Sequence, residues 1–278
     1  MKSVTAIITT YNRAKLLSRA IESVLNQTFP IFELIIVDDA SMDDTSQVVG
    51  KYIKADDRIR YLKTEKNIGA CKARNMAINV AKGDLIAGLD DDDEWTPDRI
   101  ETLISYYDPK WAYITSDYLI KDATRKTKYF KKKKFIRPKN MASLNYAGNQ
   151  IMVERWKLLA LGGFDEDLTS AQDYDMFYRL NLAFGTAINV RKALQVVYMN
   201  HSYPQITHNA KLGYINFYFK HINRFNRKNK VSQIFRIKQI TGGHLKWTYI
   251  TMAPDLTVFL KMCKYCIIKI FRSGHRTF

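Results

Sequence analysis

Runs of aliphatic and β-branched residues alternate with segments of helical periodicity through the first hundred residues. The run Val4–Thr10 predicts a buried strand, and the apolar positions that recur from Leu16 to Leu25 predict an amphipathic helix ending near Gln27. Asn12 stands where it could cap that helix. The same alternation predicts strands at 32–37, 58–62 and 84–89, and helices at 43–55 and 70–81.

The pattern becomes less regular from about Trp111 onward. It predicts strands at 113–120 and 151–153, an extended segment at 190–199, and helices at 154–161 and 171–182. After about Pro204 the chain is basic, rich in aromatic residues and helical in pattern. Alternating strands and helices are typical of an α/β fold with a mostly parallel central sheet flanked by helices. We predict that class, followed by a C-terminal basic helical extension.

Polar clusters follow three of the predicted strands. These clusters are Thr10 to Arg13, Asp38 with Asp39, and Asp90 to Asp93. In open parallel sheets, ligands bind beyond the carboxyl ends of the strands. Because the three clusters should converge at one edge of the sheet, we predict a ligand site there.

Four consecutive carboxylates, Asp90 to Asp93, form the most unusual of these clusters. An acidic run is often only solvated, but this one follows an apolar strand and precedes Trp95, which could close off solvent. Hard oxygen ligands of this kind suit Mg²⁺ or Mn²⁺. If the segment stays extended, Asp90 and Asp92 share one face, and Asp91 and Asp93 share the other.

Composition limits the class of partner. The chain of 278 residues is 46% hydrophobic, which is ample for a core, and 44 Lys and Arg against 27 Asp and Glu give a formal charge of +17. This excess favours a polyanionic partner such as nucleic acid, anionic lipid or a phosphate-rich substrate. Cys263 and Cys266 form a C-x-x-C without a second pair to complete a zinc site, so we interpret them as small apolar residues on a helix. The sequence shows no signal peptide and no apolar run of 18 residues, which favours a cytoplasmic protein.

Several short motifs occur in a fixed order between Ser3 and Thr207. They are Ile7-Ile8-Thr9-Thr10-Tyr11-Asn12-Arg13, Ile35-Ile36-Val37-Asp38-Asp39-Ala40-Ser41, Asn67-x-Gly69-x-x-x-Ala73-Arg74-Asn75, Leu89-Asp90-x-Asp92-Asp93-x-Trp95-x-Pro97, Gly162-Gly163-Phe164-Asp165-Glu166 and Asp173. Each is weak by itself, but together they closely resemble the family 2 inverting glycosyltransferases with the GT-A fold. The resemblance implies a Rossmann-like, nucleotide-binding first half.

The resemblance also implies roles for individual residues. The nucleotide-sugar would be bound by Thr10, Tyr11, Arg13, Asp39, Arg74, Asp90 and Asp91, a divalent metal by Asp92 and His201, and the general base would be Asp173. Within this set, Asp39 would accept from the nucleotide base, and Asp90 would lie beside the ribose. Gln172 departs from the family, where Glu is common at this place. Asp175 is a rival for the base, and His208 is a rival for the late histidine.

The implied activity is inverting transfer of a sugar from a nucleotide-diphosphate sugar, by analogy a UDP-sugar, with Mn²⁺ or Mg²⁺ as cofactor. The acceptor would be a hydroxyl of a glycan or of a polyprenyl-diphosphate-linked sugar in bacterial surface-polysaccharide synthesis, of the O-antigen or capsule type. One carboxylate base suffices for such a single displacement. The alternative is a basic nucleic-acid- or membrane-binding protein with a degenerate catalytic domain. Because the carboxylates would repel phosphate in the absence of a cation, we favour the enzyme and expect no nucleic-acid partner.

The resemblance divides the chain into a catalytic domain at 1–205, with a nucleotide-sugar-binding half at 1–100 and an acceptor-binding half at 101–205, and a helical extension at 206–278. The run Lys131–Lys134 is either solvated or gathers a phosphate-bearing acceptor. The tail at 256–272 predicts a basic amphipathic helix. Such a helix could dock on its own domain, pair two subunits in a homodimer, or lie on an anionic membrane at the inner face of the cell membrane.

Overall fold

The fold is described from a computed structural model of the chain, for residues 2–122, 127–199, 210–242, 245, 247–253 and 259–266. The first half contains strands β1 (Val4–Thr10), β2 (Glu33–Asp38), β3 (Ile59–Lys63), β4 (Leu85–Asp90) and β5 (Glu94–Trp95). Its helices are α1 (Ala14–Leu25), α2 (Thr45–Ile53), α3 (Ala70–Val80) and α4 (Arg99–Ser105). Each strand and helix predicted for this half is present, with no end shifted by more than two residues.

The second half continues with strands β6 (Ile114–Asp122), β7 (Thr127–Phe130), β8 (Phe135–Ile136), β9 (Met152–Glu154) and β10 (Ala187–Met199). Its helices are α5 (Pro138–Met141), α6 (Arg155–Ala160), α7 (Gln172–Phe184), α8 (Ala210–His221), α9 (Arg227–Thr241) and α10 (Trp247–Ile250), with a 3₁₀ turn at Ile222–Arg224. Residues 259–266 are also helical. The predicted helical character after Pro204 is therefore confirmed for the described part of the extension.

Within the described residues the strands form one sheet in the order β3-β2-β1-β4-β9-β6-β10-β5, with β7 beside β6 and β8 beside β10. The pairs among β3, β2, β1 and β4 are parallel, as is the long pair of β6 with β10. The short strands β5, β7, β8 and β9 pair in the antiparallel sense. The predicted α/β class with a mostly parallel sheet is confirmed.

Helices cover both faces of the sheet because the buried strands are apolar on both faces. Along β1, Ile7 packs in a cluster with residues of α3 and α7, whereas its neighbour Ile8 packs in a second cluster with residues of α1 and α4. The end of β1 therefore emerges between two helical layers. This arrangement brings the carboxyl ends of β1, β2 and β4 together at one edge of the sheet.

The predicted cap of α1 is wrong. Asn12 has a left-handed backbone with φ of 52°, and its side chain accepts from the backbone N–H of Met42 at 2.8 Å. The N–H of Ala14, the first residue of α1, donates instead to Asp43 Oδ2 at 3.0 Å. A carboxylate from the neighbouring loop thus replaces the local cap, a long-range contact that the local pattern does not encode.

The tail helix at 259–266 packs on the protein itself. Met262 and Cys266 are buried in a cluster with Val231 and Phe235 of α9, and the cysteines are free. The interpretation of the C-x-x-C as apolar packing on a helix agrees with this arrangement. Within the described ranges, no helix is both long and apolar enough to span a bilayer.

Candidate active site

The three predicted polar clusters meet at one edge of the sheet. Thr10 of β1 pairs with Asp38 of β2, and Thr9 pairs with Asp90 of β4 in parallel register. The backbone N–H of Asp39 donates to the carbonyl of Thr10 at 2.9 Å. The predicted convergence of the clusters is confirmed.

The carboxylate run forms a turn and not an extended strand. Asp90 ends β4, and the N–H of Asp93 donates to the carbonyl of Asp90 at 3.0 Å, which closes the turn. Arg13 at the start of α1 binds the two middle carboxylates, since its Nη1 donates to Asp91 Oδ1 at 2.9 Å and to Asp92 Oδ2 at 2.8 Å. The second and third carboxylates therefore share one cation.

The first and fourth carboxylates share an amide. Asn149 Nδ2 donates to Asp90 Oδ2 at 2.9 Å and to Asp93 Oδ2 at 3.0 Å. Gln150 Nε2 donates to Asp90 Oδ1, and Gln195 Nε2 donates to Asp93 Oδ2, each at 2.8 Å. The expected sharing of faces, first with third and second with fourth, is wrong because a turn does not alternate its side chains as a strand does.

Burial and mutual repulsion raise the pKa values of three carboxyls of the turn. Burial raises the pKa of Asp91 to about 6, although Arg13 opposes this rise. Burial and the charge of Asp90 also raise the pKa of Asp92, and burial with Asp90 and Asp92 raises the pKa of Asp93 well above its usual range. A bound cation would relieve the repulsion that contributes to these rises.

A divalent metal fits this turn on the chemistry of its donors. The side chain of Asp92 is 25% exposed and can reach a ligand at the sheet edge. Among the described residues, no group of three or more His, Cys, Asp or Glu is gathered for a metal. Mg²⁺ and its chemical relatives are often held by one or two carboxylates plus substrate phosphates, so the donor set fits a metal that arrives with its substrate. His201 and its rival His208 lie outside the described residues.

Asp173 lies close to the carboxylate turn in space, although 80 residues separate it from Asp93 along the chain. It is the second residue of α7, and Arg74 of α3 bridges it to β4. Arg74 Nη1 lies 3.6 Å from Asp173 Oδ1, and Arg74 Nη2 donates to Asp90 Oδ1 at 3.2 Å. A cavity of about 40 Å³ adjoins Arg74 and Asp173 and is otherwise lined mainly by apolar side chains.

The surroundings of Asp173 suit a base at neutral pH. Burial raises the pKa of its carboxyl to about 6, with Arg74 opposing and Asp90 adding to the rise. A carboxylate with this pKa is ionised at pH 7 and still accepts a proton readily. Gln172 Oε1 accepts from Arg74 Nη1 at 3.1 Å, so the glutamine retains an acceptor where the family commonly has Glu.

Asp175, the other candidate for the base, binds side chains away from the carboxylate turn. Its side chain is fully buried and contacts Arg179, His221 and Lys220 at 2.8, 2.8 and 2.9 Å. Although burial acts in the opposite direction, the hydrogen bond to His221 and the charges of Arg179 and Lys220 lower its pKa to about 2. A buried, paired carboxylate of this kind is a poor base, so the geometry favours Asp173.

The residues predicted to contact the nucleotide base lie at the carboxyl ends of β1 and β2. Tyr11 is 42% exposed, whereas Thr10 and Asp39 are buried. The carboxylate of Asp39 accepts from the backbone N–H groups of Ile68 and Gly69 at 2.7 and 2.8 Å. Asp39 thus also fixes the loop that leads into α3 and Arg74.

Four residues at the turn were not predicted as site residues. They are Arg19, Gln150, Gln195 and Tyr198. Arg19 donates to the carbonyl of Asp92, and its guanidinium lies 3.7 Å from the centre of the Tyr198 ring. Arg19 lies on a helix with an ordinary amphipathic pattern, and Tyr198 lies in an ordinary extended run, so no local pattern distinguishes either residue. Asn149, which precedes β9 along the chain, also belongs to the site through its contacts with Asp90 and Asp93.

The lysine run is not one solvated group. Lys132 is only 7% exposed, and its Nζ donates to Thr115 Oγ1 at 3.1 Å and to the carbonyl of Ala147. The expectation for the run is therefore wrong for Lys132, which supports the segment preceding Asn149. The other three lysines are exposed, and a role for them in gathering the acceptor stays a prediction.

Comparison with known proteins adds a family and a fold. The family model described as "Glycosyl transferase family 2" matches residues 5–160. A protein of Escherichia coli (strain K12) named as a colanic acid biosynthesis glycosyl transferase, WcaA, is 36% identical over 252 residues, which cover 86% of this chain and 88% of that protein. The GalNAc(5)-diNAcBac-PP-undecaprenol beta-1,3-glucosyltransferase of Campylobacter jejuni is 32% identical over 173 residues, covering 60% of this chain and 56% of its own.

Two solved structures share the fold. The mannosyltransferase PcManGT from Pyrobaculum calidifontis, in complex with GDP-Man and Mn²⁺, superposes with a TM-score of 0.66 at 18% identity, over 98% of this chain and 86% of its own. TarS 1–349 from S. aureus, in complex with UDP-GlcNAc, gives a TM-score of 0.62 at 18% identity, over 98% of this chain and 92% of its own.

Proposed function

The chain belongs to glycosyl transferase family 2 and has the GT-A fold, and we propose that it transfers a sugar with inversion from a nucleotide-diphosphate sugar to an acceptor hydroxyl. The observation that carries this proposal is the triad of Asp90, Arg74 and Asp173. Arg74 contacts Asp90 at the end of β4 at 3.2 Å and Asp173 at 3.6 Å. It therefore connects the carboxylate turn to a carboxylate whose raised pKa suits a base.

Asp173 is the proposed general base. In a single displacement, its carboxylate takes the proton from the acceptor hydroxyl as that oxygen bonds to the anomeric carbon, while the bond from that carbon to the diphosphate breaks on the opposite face. No covalent intermediate with the protein is needed, so a nucleophilic Ser or Cys has no role. The raised pKa of Asp173 matches this proton transfer at neutral pH.

The end of β1 and the carboxylate turn are the proposed donor site. Thr10, Tyr11 and Asp39 would face the nucleotide base, with Asp90 beside the ribose and Asp91 and Arg13 nearby. Arg74 and Arg13 supply positive charge at the place where the departing diphosphate gains negative charge. The donor in one structural neighbour is UDP-GlcNAc and in another GDP-Man. We retain a UDP-sugar as the first donor to test.

Asp92 is the residue proposed to hold Mn²⁺ or Mg²⁺, with His201 as a further candidate ligand. When bound, such an ion neutralises charge on the diphosphate as the nucleotide leaves. The raised pKa values at the turn and the Mn²⁺ in the mannosyltransferase neighbour support this proposal. Arg13 would orient the carboxylate of Asp92 through its 2.8 Å contact.

The proposed acceptor is a glycan or a polyprenyl-diphosphate-linked sugar in bacterial surface-polysaccharide synthesis. The names of the Escherichia coli and Campylobacter jejuni relatives support this class. The exposed Phe259 and Leu260 stand beside exposed Lys261 and Lys264 on the tail helix, which suits the surface of an anionic membrane. We propose peripheral attachment at the cytoplasmic face, with 1–205 as the catalytic domain and 206–278 as the extension.

A donor screen tests this proposal. Purified full-length protein is incubated with a panel of nucleotide sugars and lipid-diphosphate-sugar acceptors, with and without Mn²⁺, and released nucleoside diphosphate is measured. Release with one donor, greatest with Mn²⁺ and acceptor together, is the expected result. If no donor is turned over and the protein instead binds nucleic acid in a salt-sensitive manner, the binding-protein alternative is correct.

A further inference from the structure

The helix that carries the proposed base, α7, packs against the C-terminal extension. Asp175, two residues after Asp173, points away from the donor site toward α8. There it contacts His221 Nε2 at 2.8 Å and Lys220 Nζ at 2.9 Å. Asp175 is fully buried and His221 is 4% exposed, so the hydrogen bond between them is shielded from water and fixes the first turn of α7 against α8.

Tyr174, the residue between those two carboxylates, is held by both helices of the extension. Its ring stacks on Phe217 of α8 with the ring centres 3.9 Å apart and the planes 18° apart. Its hydroxyl accepts from Gln233 Nε2 of α9 at 2.7 Å and donates to the carbonyl of Met141. A stacked ring and a buried hydroxyl network together leave this residue little freedom to shift.

The backbone of α8 also touches the residue that precedes the start of α7. A Cβ built on Gly213 of α8 would lie 2.0 Å from Ser170 Oγ and 2.5 Å from the carbonyl oxygen of Ser170. Next along the chain is Ala171, which caps α7 with a left-handed φ of 58°. Glycine is therefore required at 213 for the close approach of α8 to the segment from which α7 begins.

We propose that α8 and α9 position Asp173 for proton transfer, with His221, Lys220, Gln233 and Gly213 as the positioning residues. None of them touches Asp173, and each acts through a neighbour in the chain within three residues of it. A base misplaced by about 1 Å loses on the order of 100-fold in rate. The inference rests on the proposed function of Asp173, and it assigns a catalytic purpose to helices that lie beyond the part of the chain matched by the family model.

Substitutions on the two helices test the proposal. In full-length protein, Gln233→Ala and Gly213→Ala are expected to lower kcat at least tenfold while the donor KM and the affinity for the nucleoside diphosphate change less than twofold. Alanine has a higher helix propensity than glycine, so a loss of rate in Gly213→Ala cannot be attributed to weakening of α8 itself. Asn229→Ala is the matched control.

Asn229 lies one turn before Gln233 on α9 and is also buried, and its amide donates to Ser143 Oγ at 2.8 Å, away from α7. A structural role alone predicts that Asn229→Ala and Gln233→Ala lower the melting temperature and kcat alike. The proposal predicts that Asn229→Ala keeps its kcat. Equal losses in both variants would overturn it.

Two further variants, His221→Gln and Lys220→Met, distinguish a loss of positioning from a loss of folding. His221→Ala is expected to lose kcat, whereas His221→Gln can still donate from an amide at a position close to Nε2 and should recover most of it. Lys220 is 32% exposed, so Lys220→Met should fold and lower kcat by a smaller factor. Unchanged kcat in folded His221→Ala and Lys220→Met would also overturn the proposal.

Asp173→Asn separates the two levels of inference. If Asp173→Asn is inactive and the variants of the extension retain full kcat, the positioning role fails and the proposed base stands. If Asp173→Asn keeps full activity, the assignment of the base fails and the positioning role fails with it.

Discussion

Arg74 and Asp173 form an ion pair, with Nη1 and Oδ1 3.6 Å apart, across the gap between α3 and α7. The same guanidinium binds Asp90 at the end of β4. One cation therefore connects the proposed base to the proposed donor site, and its removal should raise the pKa of Asp173.

The pH dependence of the reaction tests this connection. Because Asp173 must be ionised to accept a proton, kcat/KM of the unaltered protein should rise with pH to a plateau, with a midpoint near the pKa of about 6 of this carboxyl in the free protein. Arg74 favours the ionised form, so Arg74→Met should raise that pKa and move the acid limb to higher pH. Arg74→Lys keeps the positive charge and should move the limb less. If the acid limb of Arg74→Met lies at the same pH as that of the unaltered protein, Arg74 does not lower the pKa of Asp173.

The division of labour between Asp92 and Asp173 gives a second prediction. Asp92→Asn should lose metal-dependent binding of the donor, because a neutral amide is a much weaker ligand for Mn²⁺ than a carboxylate. Asp173→Asn should bind donor and Mn²⁺ normally and lose transfer. Calorimetric titration of the donor, with and without Mn²⁺, and a transfer assay distinguish the two steps. If both variants fail at the same step, the assignment is wrong.

Asn149 should stabilise the carboxylate turn. Asn149→Ala removes its bonds to Asp90 and Asp93 and should lower the free energy of unfolding by about 1–3 kcal/mol. Asn149→Asp should lower it further at pH 7, because a third carboxylate then stands beside two others. At pH 5 the unfolding free energies of Asn149→Asp and Asn149→Ala should differ less than at pH 7, because one carboxyl then takes up a proton. Denaturant unfolding at both pH values measures this gap, and the exposed Asn79→Ala serves as the control.

Lys132 should make stability depend on pH. Burial and the nearby Arg99 lower the pKa of its ammonium group to about 7, from an ordinary value of 10.5. Between pH 7 and pH 10.5 the unfolded chain therefore binds more protons at this position, so this group's contribution to stability improves as the pH rises. As the pH rises through that window, the unfolding free energy of the unaltered protein should increase relative to that of Lys132→Met. The increase should be up to roughly 1.4 kcal/mol per pH unit. The exposed Lys131→Met serves as the control. If the difference in unfolding free energy for Lys132→Met does not change with pH, the burial of its charge is contradicted.

The sequence determined the class of the fold and the place of the site. Both follow from local patterns: aliphatic runs such as Val4–Thr10 form strands, the helices between them are long enough for parallel crossovers, and parallel strands bring their carboxyl ends to one edge. The resemblance of the ordered motifs to a known family identified Arg74 and Asp173 as site candidates, whereas the carboxylate run also stood out because it follows a predicted strand.

Tertiary structure decided how those residues are paired. Whether Asp90 to Asp93 alternate like a strand or fold into a turn depends on Arg13 and Asn149, which come from segments remote in sequence and bind the carboxylates in pairs. Lys132 looks like its three exposed neighbours in the sequence, and only packing on Thr115 and Ala147 buries it. The choice of Asp173 over Asp175 rests on the groups facing each one, since Lys220 and His221 of α8 bind Asp175 while Asp173 faces Arg74 at the sheet edge. Local periodicity fixes which side chains reach a surface, and the long-range contacts of the folded chain fix what each of them meets there.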